Sequence, residues 1–172
     1  MAHCHGTDFK KINDIRFGTD LKESAAAGFP LAVAYCHYEG WNGLEKDRKK
    51  AFEMYLKIEK ETNGDHWAQY MLGLCYQRGH GTDQDHNKGF EFFTKSAEQG
   101  NSIAMNNVGA CYDDGYGCDQ NDTKAFEWYE KSAKLGYSEA MNNLGNCYYN
   151  GSGCDQNFTK SFEWCEKSAK LG

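Results

Sequence analysis

The chain contains eight cysteines, and the spacing of some of them would suit disulfide bonds. Cys111 and Cys118 lie seven positions apart, and Cys147 and Cys154 repeat that spacing. Each pair would allow a disulfide bond if its two Cα atoms came within about 7 Å of each other. An earlier copy of the pattern is incomplete, because Cys75 is followed seven positions later by a threonine. This favours free thiols that pack as small apolar side chains, and the pairing stays open.

The histidines and the acidic residues match known metal sites only in part. His3, Cys4 and His5 are neighbours, but the chain has no C-x-x-C or H-x-x-x-H spacing of the kind that binds zinc. The acidic stretch 113–122 is similar to a calcium-binding loop, yet Lys124 stands where such a loop needs glycine. We therefore expect no metal site and no cofactor.

No segment carries the motif of a common catalytic site. The chain lacks G-x-S-x-G, H-E-x-x-H and a glycine-rich phosphate loop. Its six histidines are scattered without a regular spacing. The sequence therefore predicts a protein that is not an enzyme.

The charge balance argues against two classes of partner. The chain has 25 acidic and 19 basic residues, a net charge of -6, and only a short basic run at 48–50. Nucleic acids and anionic membranes require a concentrated basic surface, so we expect neither as a partner. No apolar stretch approaches the ~20 residues that span a bilayer. The first residues do not resemble a secretory signal, and we expect a cytoplasmic protein.

Glycine recurs at a fixed interval that organises the whole chain. Gly28, Gly64, Gly100, Gly136 and Gly172 are each 36 residues apart. The last three close the similar blocks KSAEQG, KSAKLG and KSAKLG, and segments 101–136 and 137–172 agree at 26 of 36 positions. A period of this length is typical of stacked repeats that bury apolar faces against their neighbours.

Within one repeat, the apolar spacing predicts two helices. Ala140, Leu144, Cys147 and Tyr148 share one face of a first helix, helix A, which covers about 138–150. A glycine-rich turn follows. Asn157 is placed to cap a second helix, helix B, as Asp85 and Asn121 are in the preceding repeats. Glycines at 73, 109 and 145 lie on the flank of helix A, where a missing Cβ allows a neighbouring helix to approach closely.

These repeats predict an all-α fold of stacked helix-turn-helix units with about nine helices. Residues 1–28 form an N-terminal segment with a lone helix B (9–27) as a cap, and 29–64 is a degenerate first repeat with a shortened helix A. Segments 65–100, 101–136 and 137–172 are the second, third and fourth repeats. All belong to one continuous domain, because each unit needs its neighbours to cover its apolar face.

The repeated motif resembles a known family. The run AMNNLGNCYYNGSG at 140–153, followed by KSFEWCEKSAKLG at 160–172, is similar to the Sel1-like repeat (SLR) family, a relative of the tetratricopeptide repeats. The resemblance is strong over 65–172 and weak over 29–64. It implies a right-handed α-solenoid that serves as an adaptor or scaffold for other proteins. Some secreted members are rich in disulfide bonds, so a stapled secreted or intermembrane-space protein with a thiol-dependent role is the alternative.

Positions on helix A that point away from the predicted core face are candidates for binding. In solenoids of this type successive A helices line the concave surface, where a protein or an extended peptide would bind. Asparagine offers both a donor and an acceptor to a peptide backbone, and tyrosine is a frequent hot-spot residue. Acidic side chains among them would favour a partner with basic residues. The predicted concave-face residues are Tyr70, Leu74, Gln77, Arg78, Asn106, Asp113, Asp114, Asn142, Asn146, Tyr149 and Asn150.

The last repeat has no following repeat in this sequence to cover its apolar face. We expect that face to be exposed or to be buried against something else. The segment would then be part of a longer protein or would use this end for self-association.

Overall fold

The fold consists entirely of helices in the part of the chain that the structure describes. The computed structural model covers residues 21–171, and of Leu21 and Lys22 only the backbone is described. The segment 1–20, with His3, Cys4, His5 and most of the predicted capping helix, lies outside the described residues. Within them the structure has nine helices and no strand, which confirms the all-α prediction. They are α1 (Leu21–Ala26), α2 (Pro30–Glu39), α3 (Arg48–Glu61), α4 (His66–Arg78), α5 (His86–Glu98), α6 (Ser102–Asp114), α7 (Asp122–Lys134), α8 (Ser138–Asn150) and α9 (Phe158–Leu171).

Helices α2, α4, α6 and α8 are the A helices, and α3, α5, α7 and α9 are the B helices. Each A helix contacts the B helix of its own repeat, and each of the first three B helices also contacts the next A helix. Helix α2 has 10 residues where the other A helices have 13, as the degenerate first repeat predicted. Across residues 21–171, no helix is both long enough and apolar enough to cross a membrane.

The ends of the helices follow from their capping residues. Helix α6 ends at Gly115, whose φ of 73° is a left-handed conformation that an L residue rarely adopts. Asp85, Asn121 and Asn157 accept hydrogen bonds from backbone N–H groups three residues later, at 3.0, 2.9 and 2.9 Å. The predicted caps of the B helices are therefore confirmed.

Glycine on helix A lets helix B come close within the second, third and fourth repeats. A Cβ on Gly73 would lie 2.5 Å from the ring of Phe93, and one on Gly109 would lie 2.7 Å from the ring of Tyr129. The serine of the repeated KSA motif, near the end of helix B, forms a hydrogen bond with the start of helix A in the same hairpin. Ser132 Oγ donates to the carbonyl of Ser102 at 2.7 Å, and equivalent bonds join the hairpins of the second and fourth repeats.

Neighbouring repeats meet through an aromatic pair at each junction. Phe90 of α5 packs edge-on against Tyr112 of α6, with ring centroids 5.3 Å apart. The pairs Phe52 with Tyr76 and Phe126 with Tyr148 repeat this geometry at the other two junctions. Such pairs add about 0.5–1.5 kcal/mol each beyond the apolar area that they bury.

A second contact at each junction is made by the backbone. The second glycine of each A/B turn lies against the first residue of the preceding B helix. A Cβ on Gly117 would collide with the carbonyl oxygen of His86. Gly81 and Gly153 stand in the same relation to the carbonyls of Arg48 and Asp122. Glycine is therefore required at these three positions by space as well as by its positive φ.

The fourth repeat leaves its outer face uncovered among the described residues. Phe162 is 70% exposed and Phe158 is 60% exposed, although the equivalent Phe126 packs on the next A helix. Within the described residues this apolar face is exposed. That this end mediates self-association stays a prediction.

Candidate functional site

Three of the predicted concave-face residues are buried, which corrects the predicted exposure of these positions. Tyr70, Leu74 and Asn106 are only 3%, 3% and 7% exposed. They occupy the sixth and tenth positions after the glycine that closes the preceding repeat. These two positions were predicted to face the solvent, and Tyr70, Leu74 and Asn106 do not.

For Asn106, the cause is a contact between successive A helices. Asn143 Nδ2 of α8 donates a hydrogen bond to Asn106 Oδ1 of α6 at 2.9 Å. Helix α6 is thus contacted by its own B helix and, through this bond, by the next A helix. In the second repeat the Tyr70 ring packs against Phe93 of its own B helix, with ring centroids 6.0 Å apart. Asn106 can be buried because Asn143 satisfies its carbonyl oxygen.

In the last A helix the same positions are open. Asn142 and Asn146 are exposed, because no further A helix lies beside α8 among the described residues. The Asn142 carbonyl oxygen lies 4.0 Å from Cys165 Sγ and has no stronger side-chain partner. Among the described residues, amides at these positions are therefore open to solvent only in the fourth repeat.

The remaining predicted residues form a surface at the ends of the A helices. We call this surface the turn edge, and it consists of the last residues of the A helices, the A/B turns and the first residues of the B helices. Gln77 is half-buried there, and the other members are exposed: Arg78, Asp113, Asp114, Tyr149 and Asn150. Tyr149 is 58% exposed and packs edge-on against Phe158, with centroids 5.4 Å apart.

The acidic part of the turn edge lies in the third repeat. Partial burial raises the pKa of Asp113, and the nearby charges of Asp114 and Asp122 raise it further. The Tyr129 hydroxyl donates to Asp113 Oδ2 at 3.5 Å, which opposes that rise. This cluster of carboxylates carries negative charge that would attract a basic side chain.

The cysteines of the described segment are packing residues. Cys4 lies outside the described residues, and the other seven cysteines are free thiols. Burial raises the pKa of Cys75, Cys111 and Cys147 to about 12, so these thiols are protonated and unreactive at neutral pH. Cys118 Sγ lies 3.5 Å from the carbonyl of Cys111 and donates to it, so the pair is not bridged.

Sequence analysis missed one group of residues on the turn edge. Lys46, Arg48 and His80 lie together with Arg78 at the junction of the first and second repeats. A departure from the repeat pattern was the signal that could have found them, because the position of Lys46 is glutamine in the other three repeats. In residues 21–171, no three His, Cys, Asp or Glu side chains are grouped so that they could hold a metal ion.

The repeats seen in the fold are those of a known family. The sequence profile described as Sel1 repeat matches residues 31–59, 68–101, 102–137 and 138–172. The chain belongs to the Sel1 repeat family. Sel1 repeats generally mediate protein–protein interaction. No curated protein sequence matches this Sel1 repeat chain significantly.

Solved structures of Sel1 repeat proteins share the fold. Protein c5321, a protective antigen present in uropathogenic Escherichia coli strains, is 32% identical with a TM-score of 0.74 over 88% of this chain. A Sel1 repeat protein from Oxalobacter formigenes is 29% identical with a TM-score of 0.76 over 96% of this chain. Helicobacter pylori cysteine rich protein B is 25% identical with a TM-score of 0.57, over 74% of this chain and 90% of its own. The chain spans 32% of the E. coli protein and 66% of the Oxalobacter protein.

Proposed function

We propose that this chain is a non-catalytic adaptor module that binds a partner protein along its A helices and turn edge. One observation carries the proposal. The contacts that build the fold recur from repeat to repeat, while exposed positions on the turn edge change from Arg78 to Asp114 to Asn150. A scaffold with constant internal contacts and variable exposed side chains is suited to selective binding.

The fourth repeat offers the best anchor for a partner. Tyr149 presents an exposed aromatic ring on the same helix as the exposed amides of Asn142 and Asn146. Tyrosine supplies a large rigid contact area, and an amide can pair with both the N–H and the C=O of an extended peptide. Asp113 and Asp114 of the third repeat would select basic residues in the same partner.

The proposal includes a cytoplasmic location. Seven of the cysteines are free thiols, and reducing compartments keep thiols in that form. The stapled secreted alternative gains no support from these unbridged cysteines.

The test compares retention of partners by variants that keep the fold. The immobilised chain is exposed to an extract of its source organism, the retained proteins are identified and quantified, and the main one is purified for a direct binding measurement. Tyr149→Ala and Asn142→Ala should each weaken retention without lowering the unfolding temperature, because both side chains are exposed.

The matched control lies on a B helix. Lys134 is exposed and pairs only with Glu130 of its own helix, at 2.9 Å, so Lys134→Ala should retain the partner as the parent chain does. If Lys134→Ala loses the partner while the other two variants keep it, the binding surface is on the B helices and the proposal is wrong.

A further inference from the structure

A polar pocket of about 440 Å³ opens on the turn edge at the junction of the first and second repeats. Its walls come from the end of α2, the turn that follows, the start of α3 and the end of α4. The lining side chains that matter here are Tyr38, Glu39, Lys46, Arg48, Arg78 and His80. The volume is sufficient for a short charged side chain and is too small for a folded element.

Three cationic side chains converge on this pocket, although the chain as a whole carries a net charge of -6. Glu39 is the one carboxylate among the lining residues. The ion pairs found in the described part of the chain join other residues, and none involves Lys46, Arg48 or Arg78. The pocket therefore keeps a net positive charge that the protein does not neutralise.

The state of His80 is consistent with that charge. Burial, together with the nearby positive charges of Arg48, Arg78 and Lys46, lowers the pKa of His80 to about 4. At neutral pH the imidazole is neutral, and its Nδ1 lies 2.7 Å from the Tyr38 hydroxyl in a hydrogen bond. His80 and Tyr38 thus form a neutral, hydrogen-bonded pair in the lining of the pocket.

Arg48 has hydrogen-bonding capacity that the protein leaves unused. Its guanidinium lies over the Tyr38 ring, with Cζ 5.9 Å from the centroid. Its Nε is buried and has no hydrogen-bond partner among the described residues. Buried donors are normally satisfied, and a guanidinium matches the two oxygens of a carboxylate or phosphate group.

The basic residues are not needed to build the repeat. Gln84, Gln120 and Gln156 occupy the position of Lys46, and each donates from Nε2 to a carbonyl at the end of its A helix, at 2.7–2.8 Å. Arg48 is the first residue of its B helix, where the other repeats have His86, Asp122 and Phe158. The cationic group therefore belongs to this junction alone among the three that the structure describes.

We propose that this pocket binds a carboxylate of the protein partner, either an Asp or Glu side chain or a chain terminus. The inference rests on the proposed function for the nature of the ligand, since it assumes a protein partner. A polyanion such as a nucleic acid fits less well. Further along the same edge it would meet Asp113, Asp114 and Asp122, which repel it. A peptide with acidic residues at the first junction and basic residues at the third repeat would match both ends.

The test is a titration of the isotope-labelled full chain followed by NMR. The probe is the acetylated, amidated pentapeptide Gly-Asp-Glu-Asp-Gly, and its neutral counterpart is Gly-Asn-Gln-Asn-Gly. The acidic peptide should give saturable shifts at the Arg48 Nε–H and at the backbone amides of Lys46 and His80, and the neutral peptide should give none. A third titration with inorganic phosphate separates a carboxylate site from a phosphate site. Shifts with phosphate alone would overturn the proposal, and so would equal shifts with both peptides.

Variants that use the residues of the other repeats keep the fold while removing charge. Lys46→Gln installs the residue of the other three repeats, and Arg78→Asn installs the residue at the equivalent position of the fourth. Each should weaken binding of the acidic peptide by about tenfold or more, because a hydrogen bond to a charged group is lost. Lys50→Gln is the matched control, since Lys50 is exposed in the first turn of α3 and does not line the pocket.

The outcomes separate this inference from the proposed function. If Lys50→Gln weakens binding as much as Lys46→Gln, or if Arg78→Asn binds as the parent chain does, the pocket is not the site. Partner retention that depends on Tyr149 would then still support the adaptor role. Suppose instead that the peptide binds in the pocket, but Tyr149→Ala and Asn142→Ala retain every partner as the parent chain does. The proposed binding surface of the fourth repeat is then wrong, and the carboxylate pocket is still supported.

Discussion

Replacing Gly117 with alanine should strongly destabilise the junction between the second and third repeats. Gly117 has a φ of 76°, and its added Cβ would collide with the His86 carbonyl oxygen and lie 3.0 Å from Phe90 Cβ. An alanine in the left-handed conformation costs about 1–2 kcal/mol by itself. The collision adds to this, because the atom in the way belongs to the backbone and cannot rotate aside.

The size of the second contribution follows from what the junction buries. Relief of the collision requires the second and third repeats to separate, which loosens the pair of Phe90 and Tyr112. Exposure of even ~100 Å² of apolar surface costs about 2.5 kcal/mol at about 25 cal/mol per Å². The total loss of unfolding free energy for Gly117→Ala should therefore be about 3–5 kcal/mol.

Gly136→Ala isolates the conformational part of that loss. Gly136 has a φ of 88°, and nothing lies within 4 Å of the position that its Cβ would take. This variant should lose about 1–2 kcal/mol. Urea unfolding followed by far-UV circular dichroism measures both variants. Equal losses would show that the glycine contact does not hold neighbouring repeats together.

Four further outcomes are expected. Leu144→Ala should cost about 2–5 kcal/mol, because the side chain is 0% exposed. The exposed Asn146→Ala should cost under about 0.5 kcal/mol in the same denaturation assay. Asp113→Asn should stabilise the fold at neutral pH and lose that advantage below the ordinary carboxyl pKa. The pKa of Asp113 is raised in the folded state, so the parent chain loses stability as the pH rises through that pKa, and the asparagine variant does not. A stability gain of the variant that did not depend on pH in melting curves would contradict this. Ellman's reagent should react slowly with the native thiols of Cys75 and Cys111 and should find eight thiols per chain after unfolding; a lower count would reveal bridged pairs.

The fold could be predicted from the sequence because each signal occurs several times. The apolar spacing of Ala140, Leu144 and Cys147 gave the buried face of helix A correctly. The caps at Asp85 and Asn121 gave the starts of the B helices. Periodicity of this kind reports which face of a helix is buried within its own hairpin.

The side-by-side contact between A helices could not be predicted in the same way. Asn106 is polar and occupies a position that varies between repeats, so its pattern is that of a solvent-facing residue. It is buried because Asn143, one repeat further on, donates to it. That partnership depends on the angle between repeats, which no single helix encodes. For Tyr70 and Leu74 the residue type itself favoured burial, because both side chains are large and mainly apolar.

The cationic pocket was hidden by the irregularity of the first repeat. Lys46 and Arg48 follow a shortened helix A, so they do not align with the other repeats at a spacing of 36. His80 and Arg78 come from the next repeat. Only the folded junction brings the four side chains to one place.

The glycine contacts at the junctions set the spacing of the repeats without restricting which side chain stands at the contact. At each junction the carbonyl of the first B-helix residue is what touches the glycine, whereas the side chain of that residue takes no part in the collision. Arginine, histidine and aspartate can therefore occupy this position at successive junctions with the same stacking contact. Each junction thus has one side chain that can differ while the spacing of the repeats stays the same. A substitution of this side chain would change the charge of the junction and leave the stacking contact in place.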